Sequence, residues 1–314
     1  GGTEIRGGTF GIYGDGSLGA AGTSVRIDGA TLNSGQGTSG QTITIGSTRS
    51  IEIAKGKTNH LDATNGSTLV YDGVITEFGE SGSANLQINT AGSREGTVIL
   101  GGANTYTGNT MVSAGTLRIH GSTSASSNFT VESGATLGGR GTIGGTVTLN
   151  SGATLAPGAS IESLETGSNI WSGGSNYQFE FSTDGSTGTA GAQWDLLAIT
   201  GNLDLTSASL ENPITFQLVS MLNATDAGPL ASWNPDANAT WAGIITTTAG
   251  ITGFSANKFT FDTDGFQNPL NGSFSLVQSG TNLDLTYTTN YVIPEPKAAL
   301  LGGLGILLLF RRRR

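Results

Sequence analysis

The chain has 314 residues, 51 of them glycine and none cysteine, with a formal net charge of −9 and only 12% charged positions. Lack of cysteine excludes disulfide staples and thiolate metal sites, and the composition matches neither an ordinary globular enzyme nor a highly charged disordered chain. Five of the fourteen basic residues, Lys297 and Arg311 to Arg314, lie at the end, so residues 1–296 carry 9 − 23 = −14, a balance that repels phosphates and argues against nucleic acid as a partner.

A phrase recurs through the first half: GATL at Gly29 to Leu32, GSTL at Gly66 to Leu69, AGTL at Ala114 to Leu117, and GATL again at Gly134 to Leu137 and Gly152 to Leu155. Its threonines stand at positions 31, 68, 116, 136 and 154, with intervals of 37, 48, 20 and 18. Intervals near 18 to 20, or a doubling of them, predict stacked solenoid coils. Between the phrases, short alternating runs place Ile43, Ile45, Leu117, Ile119, Phe129, Val131, Val147 and Leu149 inward, with Thr, Arg and Asn outward. Glycines at the corners permit the sharp bends between such strands. The expected fold is all-β, a right-handed parallel β-helix over residues 1–165. A β-sandwich with glycine-rich turns also produces short alternating strands, but it does not call for recurring phrases.

Within this region, GTVILGGANTYTGNTMVSAGTLRIHG runs from Gly96 to Gly121. It resembles the autotransporter-associated β-strand repeat. The core of the signature is Gly102, Ala103, Asn104, Thr105, Tyr106, Thr107 and Gly108, followed by Gly115, Thr116 and Leu117. Tyr13 to Gly19 and Gly139 to Gly158 look like flanking parts of the same architecture. The resemblance implies a β-helical, surface-exposed stalk or passenger.

Composition shifts near Glu165. Up to that position the chain holds 34 glycines, six aromatics and no tryptophan, whereas beyond it there are 17 glycines, sixteen aromatics and all four tryptophans. Tyr177 to Phe181, Trp194 to Ile199, Ile214 to Val219, Lys258 to Phe261 and Leu283 to Tyr287 read as strands separated by Gly, Asn, Asp and Pro. An antiparallel β-rich cap is therefore expected over 166–290. Gly188 to Gly201, GTAGAQWDLLAITG, is similar to a segment common between such repeats and the tail described next.

The last segment, 291–314, places Pro294, Glu295 and Pro296 before an apolar run from Ala298 to Phe310 and the block Arg311, Arg312, Arg313, Arg314. As a helix, the thirteen apolar residues span about 20 Å, against about 30 Å of hydrocarbon. The prolines block upstream extension as regular helix, and the arginines favour the cytoplasmic side. A core helix would need a polar stripe, which this run lacks; a permanent tail anchor is the other alternative. In order and position the three parts resemble the PEP-CTERM sorting signal of Gram-negative bacteria, with Lys297 as a departure that leaves the cut position open. The resemblance implies a short transmembrane helix at 298–310, transient anchoring in the inner membrane, and an exosortase-type membrane protease as partner. Such a signal makes sense after an export leader, so an extension upstream of Gly1 is expected.

Chemistry-bearing residues are sparse. Some β-helix proteins cleave acidic polysaccharides using carboxylates on adjacent rungs, often with a nearby Lys or Arg. Glu132, Arg118, Arg140 and His120 are the solenoid candidates, and no spacing marks them as converging. His60 and His120 form no metal pair, and Asp262, Asp264 and Gly265 resemble a fragment of a calcium loop without its further acidic ligands. A turn stabilised by the aspartates is the simpler reading, and no metal, cofactor or catalytic residue is expected. The leading expectation is a non-enzymatic, adhesin-like protein of the cell surface or extracellular matrix, with extracellular polysaccharide as a candidate partner. The alternatives are a carbohydrate-active β-helix enzyme, of polysaccharide lyase or hydrolase type, and an autotransporter passenger. The latter's secretion route calls for a C-terminal membrane barrel rather than FRRRR.

Overall fold

The computed structural model describes residues 2–35, 40–90, 92 and 94–292. The chain winds as a parallel β-solenoid with three faces. One face is a ten-stranded sheet running from Thr9–Ile12, through Thr31–Ser34 and Thr58–Ala63, to Asn202–Asp204 and Gly250–Thr252. A second is a nine-stranded sheet from Thr42–Ile45 to Phe259–Asp262. The remaining face carries a four-stranded sheet from Thr3–Arg6 to Ile75–Phe78, then a seven-stranded sheet that begins at Ser122–Thr123.

Strand alternation explains why the stack holds. On the nine-stranded face, Thr42, Thr68, Thr97, Thr116, Thr136, Thr154, Asn176, Thr215 and Thr260 align rung over rung. One residue along, Ile43, Leu69, Val98, Leu117, Leu137, Leu155, Tyr177 and Phe216 form an inward row, all buried. Burying one such side chain contributes about 1.5–3 kcal/mol, but only when a neighbouring rung covers it, so stability resides in the stacking. The eight residues expected inward on the alternating runs are all buried.

Two expectations are corrected. Leu196–Ile199, Asn176–Phe181, Ile214–Ser220 and Phe259–Asp262, expected in an antiparallel cap, pair in parallel with the rungs before them. Between the described strands, antiparallel pairing is confined to Ala239–Thr247, Gly272–Ser279 and Asn282–Thr289. The parallel ladder therefore crosses Glu165 on all three faces, and one apolar cluster extends from Ile5 to Tyr287. What changes is the girth of the coil. Successive strand starts on the nine-stranded face fall at 154, 176, 214 and 259, so the interval widens from 22 to 38 and then to 45. Aromatic rings fill the larger interior: Phe181, Trp233, Trp241, Phe266, Phe274 and Tyr287 form one network of ring contacts.

The second correction concerns Thr31-Leu32, which shares the repeated phrase but lies on the ten-stranded face. Its counterpart among the Thr-initiated rungs is Thr42–Ile45, and Thr97–Leu100 fills the long interval between Thr68 and Thr116, dividing it unevenly. Among the described residues no helix is long and apolar enough to cross a membrane. Pro294, Glu295, Pro296, the expected helix at 298–310 and Arg311 to Arg314 lie outside the described residues.

Candidate functional site

The signature segment occupies the gap between the four-stranded and seven-stranded sheets. Thr105 donates its backbone N–H to the Ile75 carbonyl at 2.9 Å, while Asn104 donates its own to the Ser122 carbonyl at 2.8 Å. Ala103 forms a parallel bridge with Ser122. The segment is thus a rung of non-strand backbone that splices two sheets into one face.

Asn104 is the splice. Its side chain is buried, with Oδ1 accepting the Ile75 N–H at 2.9 Å and Nδ2 donating to the carbonyls of Gly102 at 3.1 Å and Ser122 at 3.3 Å. One amide therefore satisfies groups on three successive coils. Asn89 repeats the device at another corner, accepting from Ala63 N–H at 2.7 Å and donating to the Gly96 and Ala114 carbonyls. Changing Asn104 to alanine takes the side-chain acceptor from the buried Ile75 N–H, while the Gly102 and Ser122 carbonyls keep their backbone donors, Ser122 N–H and Asn104 N–H. For one buried group left unsatisfied the expected loss in chemical unfolding is about 1–3 kcal/mol. An Asn104→Ala variant as stable as the parent would refute the splice.

The other signature residues also serve stacking. Tyr106 is fully buried and its hydroxyl pairs with Thr110 Oγ1 at 2.7 Å, beside Ser127. Thr107 offers its N–H and hydroxyl to the Glu77 carboxylate of the preceding coil, at 3.1 and 3.0 Å. Burial works to raise the Glu77 pKa, but these hydrogen bonds from Thr107 and Ala84 prevail and leave it lowered. Gly108 lies where a Cβ would overlap the Ala84 carbonyl. Gly115 turns the chain at φ +58°, and Thr116 and Leu117 then enter the nine-stranded face opposite Thr136 and Leu137.

A second feature lies where the nine-stranded face meets the seven-stranded one. Three of the four solenoid candidates converge here: Arg118, His120 and Arg140, joined by Glu162, Glu180 and Asp195, which sequence reading did not single out. Arg140 pairs with Glu162 at 3.1 Å. Asp195, fully buried, accepts the Glu162 N–H at 3.1 Å and the Glu180 N–H at 2.9 Å. Burial first, then repulsion from Glu180, pushes the Asp195 carboxyl well above its ordinary value. Burial likewise raises Glu180, against the pull of its hydrogen bond from Gln178 and of Arg118. Half-buried His120 is lowered by burial and then by Arg140. A carboxylate between apolar neighbours, as in Trp194-Asp195-Leu196, was the available signal, because a buried charge needs partners.

The remaining candidates stay apart from this corner. Glu132 accepts from Asn150 Nδ2 at 2.9 Å. His60 stands beside Thr31 and Gln87 on the ten-stranded face, its pKa lowered by burial. Asp262 caps a turn by accepting the Asp264 N–H at 3.0 Å, and a Cβ on Gly265 would stand 2.8 Å from the Leu218 carbonyl. Among the described residues no three His, Asp or Glu side chains are grouped to hold a metal.

Comparison with known proteins agrees with the signature rung. Residues 95–119 match the Passenger-associated-transport-repeat family. No curated protein matches the chain. The matched stretch includes the splice and the next strand of the nine-stranded face, a unit that joins coils. A repeat of the autotransporter-passenger type is consistent with an exported, cell-surface protein.

Proposed function

We propose that this chain is a non-enzymatic structural protein of the cell surface or extracellular matrix, adhesin-like in form. The observation that carries the reading is the matched repeat, whose signature side chains are spent on joining coil to coil. In this reading the solenoid is a right-handed shaft, the hand favoured for parallel crossovers. Its outward threonine row faces surface polymer. Export is followed by brief anchoring in the inner membrane through residues 298–310, recognition of Pro294, Glu295 and Pro296 by an exosortase-type protease, and removal of Arg311 to Arg314.

The test is expression of the chain behind an export leader in a host with and without the protease. Mass spectrometry is expected to find mature surface protein lacking Arg311 to Arg314 only when the protease is present. Mature surface protein that retains these arginines would overturn sorting by cleavage. Saturable cleavage of an acidic polysaccharide by the purified chain, lost in Glu180→Gln, would overturn the non-enzymatic part.

A further inference from the structure

The corner of Arg118 and Glu180 holds a groove of about 200 Å³, open along the nine-stranded face. Arg118 and Gln178 border it, Gly138 and Ala156 form a floor of minimal side chains, and Thr116 and Thr136 line its edge. Three properties set it apart from the rest of the threonine face. The Arg118 side chain makes no hydrogen bond or ion pair with the described residues, whereas Arg140 on the next coil is neutralised by Glu162. Glu180 lines the same groove, yet it makes no ion pair with Arg118; its carboxyl takes one hydrogen bond, from Gln178 at 3.2 Å, and its other oxygen is sealed without a partner. Finally, Asp195 fixes the backbone of Glu180 and of Glu162 together, so the groove wall is preset.

We propose that this groove binds a carboxylate of an acidic polysaccharide, with Arg118 as the anion fork and Gln178, Thr116 and Thr136 holding sugar hydroxyls. Guanidinium pairs with carboxylate through a planar double hydrogen bond. An unpaired arginine above a trough of small residues leaves that fork available. The lining favours a sugar over an extended peptide: hydroxyl and amide groups recur at the rung spacing of about 4.8 Å, and deep apolar pockets for alternate side chains are missing from the groove. The net negative charge of the chain opposes an anionic polymer at long range, which confines attraction to this corner.

Glu180 sets when the site is open. While protonated, the state that burial favours, it leaves the charge of Arg118 to the ligand; once ionised, it competes for that charge and repels the incoming carboxylate. Its raised pKa places the change above the ordinary value of 4.5. The other groups facing it are Glu162, which favours its neutral form, and Arg118, which opposes it, while Asp195, itself raised well above its ordinary value, accepts the Glu180 N–H. His120 and Arg140 complete the corner. Once the ligand carboxylate is ionised, at about pH 4, binding therefore weakens as pH rises further through the Glu180 transition.

The proposal rests on the reading that the protein meets surface polymer, but the following test does not depend on sorting. Calorimetric titration of the full chain with a galacturonate oligomer, its methyl ester and a neutral glucan oligomer is expected to show binding of the first alone, weakening with rising pH. Arg118→Ala is expected to reduce affinity about tenfold or more, the scale of a charge-assisted pair. Glu180→Gln, which stays neutral, is expected to bind without that weakening at every pH where the ligand carboxylate is ionised. Circular dichroism of each variant checks the fold. Equal binding of the methyl ester, unchanged affinity in Arg118→Ala, a weakening with rising pH that survives in Glu180→Gln, or no binding by the folded parent would each overturn the assignment.

Discussion

Replacing Gly102 with alanine is expected to destabilise the solenoid by about 3 kcal/mol or more, the upper end of what overpacking costs when the neighbours cannot move aside. A Cβ there would overlap the carbonyl of Gly73 on the coil before, and it would come within 3.1 Å of the Val74 nitrogen. These are backbone atoms already committed to the stack, so they cannot rotate aside as a side chain could. The crowding propagates, because a Cβ on Gly121 would sit equally close to the Gly102 carbonyl, and one on Gly141 to that of Gly121. Four glycines thus form a column at one corner, and moving one coil disturbs the next. Gly16→Ala is the control, since no atom lies within 4 Å of a Cβ there. Its expected change is no more than about 0.5 kcal/mol, the range of a surface substitution that touches nothing. Urea unfolding of both variants beside the parent decides the matter. Similar midpoints for Gly102→Ala and Gly16→Ala would show that the coils can separate freely.

The same column explains what could be read from the sequence. The aligned threonines at 97, 116, 136 and 154 mark short coils of nearly equal length, so strand, corner glycine and inward Leu recur at almost fixed intervals. Periodicity shows there because the corners admit no insertions. Beyond Asn176 the corners lengthen, with loops such as Ser182 to Gln193 and Leu222 to Asn238 inserted between rungs. The pairing remains parallel, but its spacing is lost, and aromatic strands of a wider coil read like a different domain. Composition reported the change in core filling and could not report strand direction. The candidate groove was hidden for a related reason. Arg118 and Glu180 lie far apart in the chain, on strands separated by two intervening rungs of the nine-stranded face, and only the stacking brings them to one groove. Asp195 comes back to them from just before the strand Leu196–Ile199, whose distance along the chain depends on an inserted loop.

Arg49→Met is expected to cost about 1–3 kcal/mol, the penalty for leaving buried hydrogen-bonding groups unsatisfied, and to do so locally. Arg49 is 1% exposed, and its guanidinium donates to both Asp15 carboxylate oxygens, at 2.7 and 2.9 Å. It also donates to the carbonyls of Leu18, Thr23 and Gly19, at 3.1, 2.9 and 3.2 Å. One side chain thereby holds the segment 15–23, which has a single 3-10 turn and no strand, against the coil that carries Arg49. Methionine fills comparable space but donates nothing, leaving these carbonyls to find water. In a stack whose coils contact mainly their neighbours, the damage should stay near the N-terminal coils. Hydrogen exchange is therefore expected to quicken at Val25 to Ile27 and Ile51 to Ile53, with little change at Leu137 or Leu155. The pair also has a pH signature. The hydrogen bond from Arg49 lowers the Asp15 pKa below its ordinary 3.8. Its stabilising contribution is therefore present above the unfolded value and is lost as pH falls through the lower, folded one. Asp15 is about one-third exposed, so solvent screens part of that contribution. The parent should lose protection in these coils on acidification below about pH 4, the ordinary range of an aspartate, and Arg49→Met should lack that component. Equal acid sensitivity in the two proteins would place the acid-labile contact elsewhere, and uniform exchange along the whole stack would show that Arg49 acts on more than the coil it touches.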